Sequence, residues 1–359
     1  MLPAAQGDSL WVEYGSRDAP HRILIDGGTP PTYKKHLKQK LMELGQRPLI
    51  ELLVVTHIDT DHIGGVLKLF NDHSVGLHFG QVWFNAWRHI APDSRDLLGG
   101  VDGEIFTVQL NHSGFRWNTS FQTDDHAARV APDGHSMMPI ALPGGMKLTV
   151  VSPGLSELAL LREEWETVVK EGGLVAGVPS ARLADKASRK GVKLDLLGDP
   201  IREWADGEID DLDKTAANGS SIAVFAEYTD EGVTKRCLLA GDAHGPVLTD
   251  GIRRLAQQLE QDRLQLDAFK VPHHGSHRNV TRDLIQSVDC RHYMFSTNGA
   301  INEHPHKEAV ARVLAYGTPG ATLHFNYRTK FNEIWDVPGW QQKYEYHVEY
   351  GDGTLTVSP

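Results

Sequence analysis

Thr56-His57-Ile58-Asp59-Thr60-Asp61-His62-Ile63-Gly64-Gly65 sets four metal-binding side chains, His57, Asp59, Asp61 and His62, within six residues. Imidazole and carboxylate are good ligands for Zn²⁺ and its neighbours in the first transition row. Residues two apart in a tight loop can point the same way, so His57 and Asp59 can share one ion. Asp61 and His62 are adjacent at a helix start and diverge, which suits a second. The preceding run, Glu51-Leu52-Leu53-Val54-Val55-Thr56, is short and apolar, as expected for a strand buried on both faces. After the loop, Ile63, Val66, Leu67 and Phe70 recur at helical spacing. Strand, ligand loop and helix together put side chains at the carboxyl end of a sheet, where α/β proteins place their sites. Gly64 and Gly65 remove bulk where the helix passes the site, and the positive end of that helix favours the Asp61 carboxylate.

A capped turn would explain this loop alone, since Asp and Thr before a helix are routine caps. Two later segments tell against that. Ala240-Gly241-Asp242 and Val271-Pro272-His273 each end an apolar run with a ligand-type side chain. A lone Asp242 reads as a turn residue, and a lone His273 as a hydrogen-bonded histidine. Three strand ends offering imidazole or carboxylate are not explained by capping.

Outward from these segments, residues 9–14, 22–26, 147–151, 222–228, 236–240 and 266–271 read as strands. Residues 32–44, 246–263 and those from about 307 read as helices. The C-terminus reads as β hairpins over 344–350 and 354–357, joined by Gly351-Asp352-Gly353. Residues 155–217 are polar and helix-prone, and read as an inserted helical segment rather than an independent domain. The 359 residues are therefore expected to form one α/β domain, although length alone would allow two.

Hydrophobic residues make up 40% and charged residues 23% of the chain, enough apolar material for a sizeable core. No stretch approaches the roughly 20 apolar residues of a membrane span, and the first residues carry no signal-peptide pattern. Cys237 and Cys290 are too few for a disulfide framework or a thiolate zinc site. The expectation is a cytoplasmic, reduced protein with no membrane association. A net charge of −11 counts against a broad nucleic-acid-binding surface, but not against a local basic groove or metal ions that meet phosphate directly.

The ten-residue loop resembles the signature loop of the metallo-β-lactamase superfamily, whose fold is a four-layer αββα sandwich. Asp59, where most members carry His, is similar to the nuclease domain of the ComEC-type competence proteins. Further pieces resemble that subgroup in order: Gln6-Gly7-Asp8-Ser9, Leu24-Ile25-Asp26-Gly27-Gly28, Asn218-Gly219-Ser220-Ser221, Leu238-Leu239-Ala240-Gly241-Asp242 and Lys270-Val271-Pro272-His273-His274-Gly275-Ser276. The last are Ser296-Thr297-Asn298-Gly299 and Asn302-Glu303-His304-Pro305-His306. The resemblance implies one ion on Asp61, His62, Asp242 and His273, and another on His57, Asp59 and a bridging Asp242. The family commonly adds a His to the second ion, and the natural place for it, Val151-Ser152-Pro153, has none. His126 and His135 are substitutes or surface histidines, so one ion or two can be expected. The extra carboxylate leaves Mn²⁺ as an alternative to Zn²⁺.

A water held at such a zinc site has its pKa lowered from 15.7 to about 7, and the hydroxide attacks phosphorus or a carbonyl carbon. Asp61 is the expected catalytic carboxylate. His274, His304 and His306 are candidates to protonate the leaving group, and the latter two alternatively brace the loop before the next helix. Asn218 and Ser221 are expected to orient loops. The first reading is a phosphodiesterase, a nuclease acting on nucleic acid. Lys186, Arg189, Lys190 and Lys193 fall at helical spacing as a basic stripe or a solvated face. Trp83, Trp87, Trp117 and Trp165 are stacking platforms or core residues. The alternatives are a small-molecule esterase (lactonase, thioesterase or phosphorylcholine-esterase type) and a metal-stabilised interaction module that needs a protein partner.

Overall fold

The computed structural model describes residues 1–359 apart from 46, 77, 91–100, 172–199, 208 and 210. The basic stripe of Lys186, Arg189, Lys190 and Lys193 lies outside the described residues. Strands β1 (Leu10–Tyr14), β2 (His21–Ile25), β3 (Leu49–Val54) and β4 (His78–Trp83) form one sheet in chain order. The second sheet holds β5 (Ile140–Ala141), β6 (Lys147–Ser152), β7 (Ala223–Asp230) and β8 (Val233–Leu239). It continues through β9 (Leu264–Lys270), β10 (Val288–Phe295), β11 (Thr322–Phe325) and β12 (His347–Tyr350), ordered β12 to β5 across the sheet.

Alternation along the strands sends side chains to two different cores. Ile23, Ile25, Leu52, Val54 and Trp83 of the first sheet meet Leu148, Val150, Val224, Ala226 and Leu239 of the second. On the far side of the first sheet, Leu24, Ile50, Leu53 and Phe79 pack against helices α1 (Thr60–Phe70) and α2 (Val101–Ser113) through Ile63, Val66, Phe106 and Leu110. On the far side of the second, Phe225, Leu238, Phe269 and Tyr293 pack against Leu248 and Ile252 of α4 (Gly245–Gln258) and Val310 and Val313 of α5 (Lys307–Tyr316). Each such side chain contributes about 1.5–3 kcal/mol when fully buried. The layers are thus helix, sheet, sheet, helix, the expected mixed α/β sandwich.

Helix α3 (Leu155–Glu171), at the start of the segment read from the sequence as an insertion, packs Leu158, Leu161 and Trp165 on Trp87, Ile90 and Ala216, with Ile58 of the signature loop against the same cluster. Trp83, Trp87, Trp117 and Trp165 are all buried. They are core residues, and the base-stacking alternative is set aside.

The expected C-terminal hairpin does not form. Residues 354–357 hold no strand, Pro338–Tyr344 is a helix, and β12 pairs in parallel with β11. An alternating run fits any free strand edge. Here Tyr346, buried with its hydroxyl donating to the Trp335 carbonyl at 2.8 Å, brings the run to β11 instead of back on itself.

Strands β2 to β4 are mutually parallel, as are β8 to β12. The segments leaving β2, β3, β8, β9 and β10 at their carboxyl ends carry Asp26, His57, Asp242, His274 and Ser296, and the contacts below show them meeting in one place.

Candidate metal centre

The centre of the cluster is three atoms. His62 Nε2 lies 3.3 Å from His274 Nε2 and 3.3 Å from Asp242 Oδ2, and His274 Nε2 lies 3.4 Å from the same oxygen. Ligands bound at about 2.0–2.1 Å in tetrahedral array stand about 3.3–3.4 Å apart. The triangle therefore has the size of one face of a metal's coordination shell. All three side chains are buried. Asp61, at the start of α1, offers Oδ2 at 3.9 Å from His274 Nε2 and is partly exposed.

Beside this triangle, His57 Nε2 is 3.6 Å from Asp59 Oδ2 and has no hydrogen-bond partner among the described residues. Asp242 Oδ1 is likewise buried without one. Two buried, unpartnered polar atoms are costly unless something else satisfies them. A divalent cation is what this mixture of imidazole and carboxylate donors suits, so the residues present fit the group that the sequence pattern implies.

Behind each imidazole stands a partner that sets its orientation. His62 Nδ1 meets Asp26 Oδ2 at 2.8 Å, and Asp26 is itself held by the Thr56 N–H at 2.8 Å and the Thr56 hydroxyl at 2.7 Å. His274 Nδ1 donates to the Ser296 carbonyl at 2.9 Å, with Asp8 Oδ1 at 3.4 Å. Asp8 lies within reach of the donor cluster, but it faces the rear nitrogen of His274 and is ion-paired with the buried Lys270. We read it as a support for the ring, not a ligand. His57 Nδ1 instead faces hydroxyls, Thr56 Oγ1 at 3.0 Å and Ser221 Oγ at 3.2 Å. Ser221 also accepts the Asp242 N–H at 3.2 Å.

The charges follow. Burial works against ionising Asp242, yet His274, His62 and His273 hold its carboxyl well below the ordinary range. Burial likewise opposes charge on His274, but Asp242 and Asp8 push it up to about 9. His62 is raised by Asp242 and Asp26 against the same penalty. Burial and the neighbouring His273, His306 and His274 keep His304 well below its usual value.

His57, Asp59, Asp61, His62 and Asp242 therefore come together. His274, rather than His273, completes the triangle. Both residues have positive φ, 47° and 54°, and this left-handed turn carries the second ring inward. His273 stays at the edge, with Nε2 3.8 Å from Asp242 Oδ2. His304 packs its ring 5.1 Å from that of His273. His306 accepts the His277 N–H at 3.1 Å, the loop-bracing alternative. His126 and His135 are exposed and bond to the Phe121 and Asp133 carbonyls, not to the cluster. Of the two residues expected to orient loops, Ser221 reaches His57 Nδ1 and the Asp242 N–H, and Asn218 donates to Asp213 Oδ2 at 2.7 Å. Asp8, Asp26, Asp213 and Lys270 had no assigned role in the sequence reading, since a lone Asp or Lys beside a turn carries no periodic signal.

Close approach of two backbones seats α1: a Cβ on Gly65 would collide with the Gly27 carbonyl, and one on Gly7 with that of Asp61. Such a glycine-lined, two-sheet cluster of His and Asp is open to comparison with known proteins. Residues 5–138 match the family model of the metallo-beta-lactamase superfamily. That stretch holds Asp8, Asp26 and the whole His57–His62 loop, while Asp242 and His274 join it from the second sheet. The helix, sheet, sheet, helix sandwich described above is consistent with the metallo-β-lactamase fold. Among solved structures, MEM-A1, a subclass B3 metallo-beta-lactamase isolated from a soil metagenome library, is similar at 14% identity over 75% of this chain and 78% of that chain, with a TM-score of 0.26. Among the described residues no helix is long and apolar enough to cross a membrane.

Proposed function

We propose that this protein is a metal-dependent phosphodiesterase that cleaves nucleic acid, akin to the ComEC-type nucleases. The observation that supports the reading is the carboxylate-rich donor set: Asp59, Asp61 and Asp242 stand among the imidazoles, and Asp59 holds a position where a neutral His would leave the site less anionic. Divalent cations held there would offset the three carboxylates and could meet the anionic oxygens of a phosphodiester directly. When bound, Zn²⁺ or Mn²⁺ supplies Lewis acidity to a phosphoryl oxygen and makes a water acidic at neutral pH.

The protein side chains do the rest. Asp26 fixes His62 with Nε2 facing the centre, and Asp242 remains a carboxylate throughout the working pH range. Asp61, at the exposed rim, accepts a proton at the carboxylate oxygen it does not offer to the donor set. His274 belongs to the donor set, which leaves His304, neutral and adjacent, as the hydrogen-bond donor toward the leaving oxygen.

Metal analysis of the purified protein, with cleavage of labelled DNA and RNA in added Mn²⁺ or Zn²⁺, tests this. Cleavage should vanish with chelator and in Asp61→Ala, which should lose metal while remaining folded. Wild-type activity in that variant, or chelator-insensitive cleavage, would overturn the mechanism. Turnover of small esters with both nucleic acids left intact would move the assignment to the small-molecule esterase reading.

A further inference from the structure

Asp213 lies near the end of the segment read from the sequence as an insertion, and no motif marks it. Its carboxylate is nevertheless the best-saturated in the molecule's described part. Oδ1 accepts the Thr215 N–H at 3.0 Å and the Thr215 hydroxyl at 2.8 Å. Oδ2 accepts Asn218 Nδ2 at 2.7 Å, Asn279 Nδ2 at 2.9 Å and His273 Nδ1 at 3.2 Å. His244 Nε2 stands 3.8 Å from Oδ1. Burial opposes its charge, but these donors hold it well below the usual carboxylate range.

We infer that Asp213 is a positioning residue of the hydrolytic site: it fixes the His273 ring with Nδ1 protonated and Nε2 turned toward Asp242. The hydrogen-bond inventory decides the tautomer. Asn279 spends its amide N–H groups on Asp213 and on the Asp242 and Ala243 carbonyls at 3.3 and 3.2 Å, so its Oδ1, 3.0 Å from His273 Nδ1, must accept. Asp213 Oδ2 can only accept. Asn218 Nδ2 also stands 3.4 Å from His273 Nδ1, but at 2.7 Å it donates to Asp213 Oδ2. The two acceptors, at 3.0 and 3.2 Å, are nearer, and the ring nitrogen between them carries the proton. The other nitrogen, Nε2, then presents its lone pair 3.8 Å from Asp242 Oδ2. The same Asn279 ties the hub to the backbone that carries Asp242, so residues 213–218 set the geometry of the site from behind, where helix α3 of the same segment packs on Ile58 from the other side.

The inference rests on the metallo-hydrolase reading of the site and is independent of its substrate. Two measurements on the full chain test it. Long-range ¹⁵N–¹H spectra of the histidine side chains, without metal at high pH and with Zn²⁺, should show His273 protonated at Nδ1. Zn²⁺ affinity, read by competition with a chromophoric chelator, should fall in Asp213→Asn by about 10-fold, the low end of the cost of losing an outer-shell partner, because His273 meets Asp242 from the edge of the donor triangle. In the His273→Ala background the same substitution should cost less than about twofold, because its effect runs through that ring. A wild-type ring protonated only at Nε2 overturns the inference and needs no variant to fold. So does an Asp213→Asn affinity equal to wild type, or an equal loss with and without His273, which a merely structural role would give. Failure of the wild-type chain to bind Zn²⁺ would strike the metal reading instead, and the tautomer would still judge this one.

Discussion

The two flanks of Asp242 are built unequally. On one, His62 and His274 meet its Oδ2 in a triangle of 3.3–3.4 Å edges, and buried aspartates, Asp26 and Asp8, face the rear nitrogens of both rings. On the other, His57 and Asp59 stand 3.6 Å apart, Asp59 is half-exposed, and His57 leans on two hydroxyls. The strand end from which the resemblance would bring a further imidazole carries Ser152, whose Oγ is buried with no hydrogen-bond partner among the described residues. A carboxylate behind an imidazole fixes its tautomer and raises its basicity, and a hydroxyl does this less. Two ligand pairs that look alike in the sequence, His57 with Asp59 and Asp61 with His62, thus differ in readiness because of what stands behind them.

The strongest way to break this comparison is at the oxygen both flanks share. Asp242→Ala should abolish metal binding at either flank and lower activity by more than the roughly 100-fold that outer-shell losses reach, as metal content and rate would show. Retention of one full equivalent of metal would mean that the flanks are independent. Next, zinc titration of the apoprotein should resolve two steps, the first tighter by about 10–100-fold. A single step of two equivalents would erase the inequality. The first step should also depend on pH. His62 and His274 are protonated in the metal-free chain at neutral pH, and His274 stays so up to about 9. Binding must therefore release protons, and affinity should rise with pH and level off above about 9. A flat profile from pH 6 to 9 would contradict it. The smallest effect is a gain: Ser152→His should tighten the second step by about tenfold, or 1.4 kcal/mol, and leave the first unchanged.

Much of this was legible before any coordinates. The loop with His57, Asp59, Asp61 and His62 follows one apolar run and Asp242 ends another, and an apolar run that stops on ligand types is a signal that survives without tertiary information. The choice between His273 and His274 was not legible, because it depends on two consecutive left-handed residues that turn the second ring inward. Asp26, Asp8 and Asp213 were invisible as supports for a different reason. Their partners lie 36, 266 and 60 residues away, and no local pattern encodes such pairs. The closing strand was misjudged since alternation specifies a strand but not its partner.

Asp8, Asp26 and the signature loop hang from one sheet, and Asp242 and His274 from the other. A cation gripped between them would be a rivet through the sandwich. It would resist the parting of the two sheets, so the chain's melting temperature would become a gauge of free metal in its surroundings, with about 2.7 kcal/mol added when that metal stands at a hundred times its dissociation constant. A cell poor in the right ion would then hold less of this protein folded, as well as less of it active.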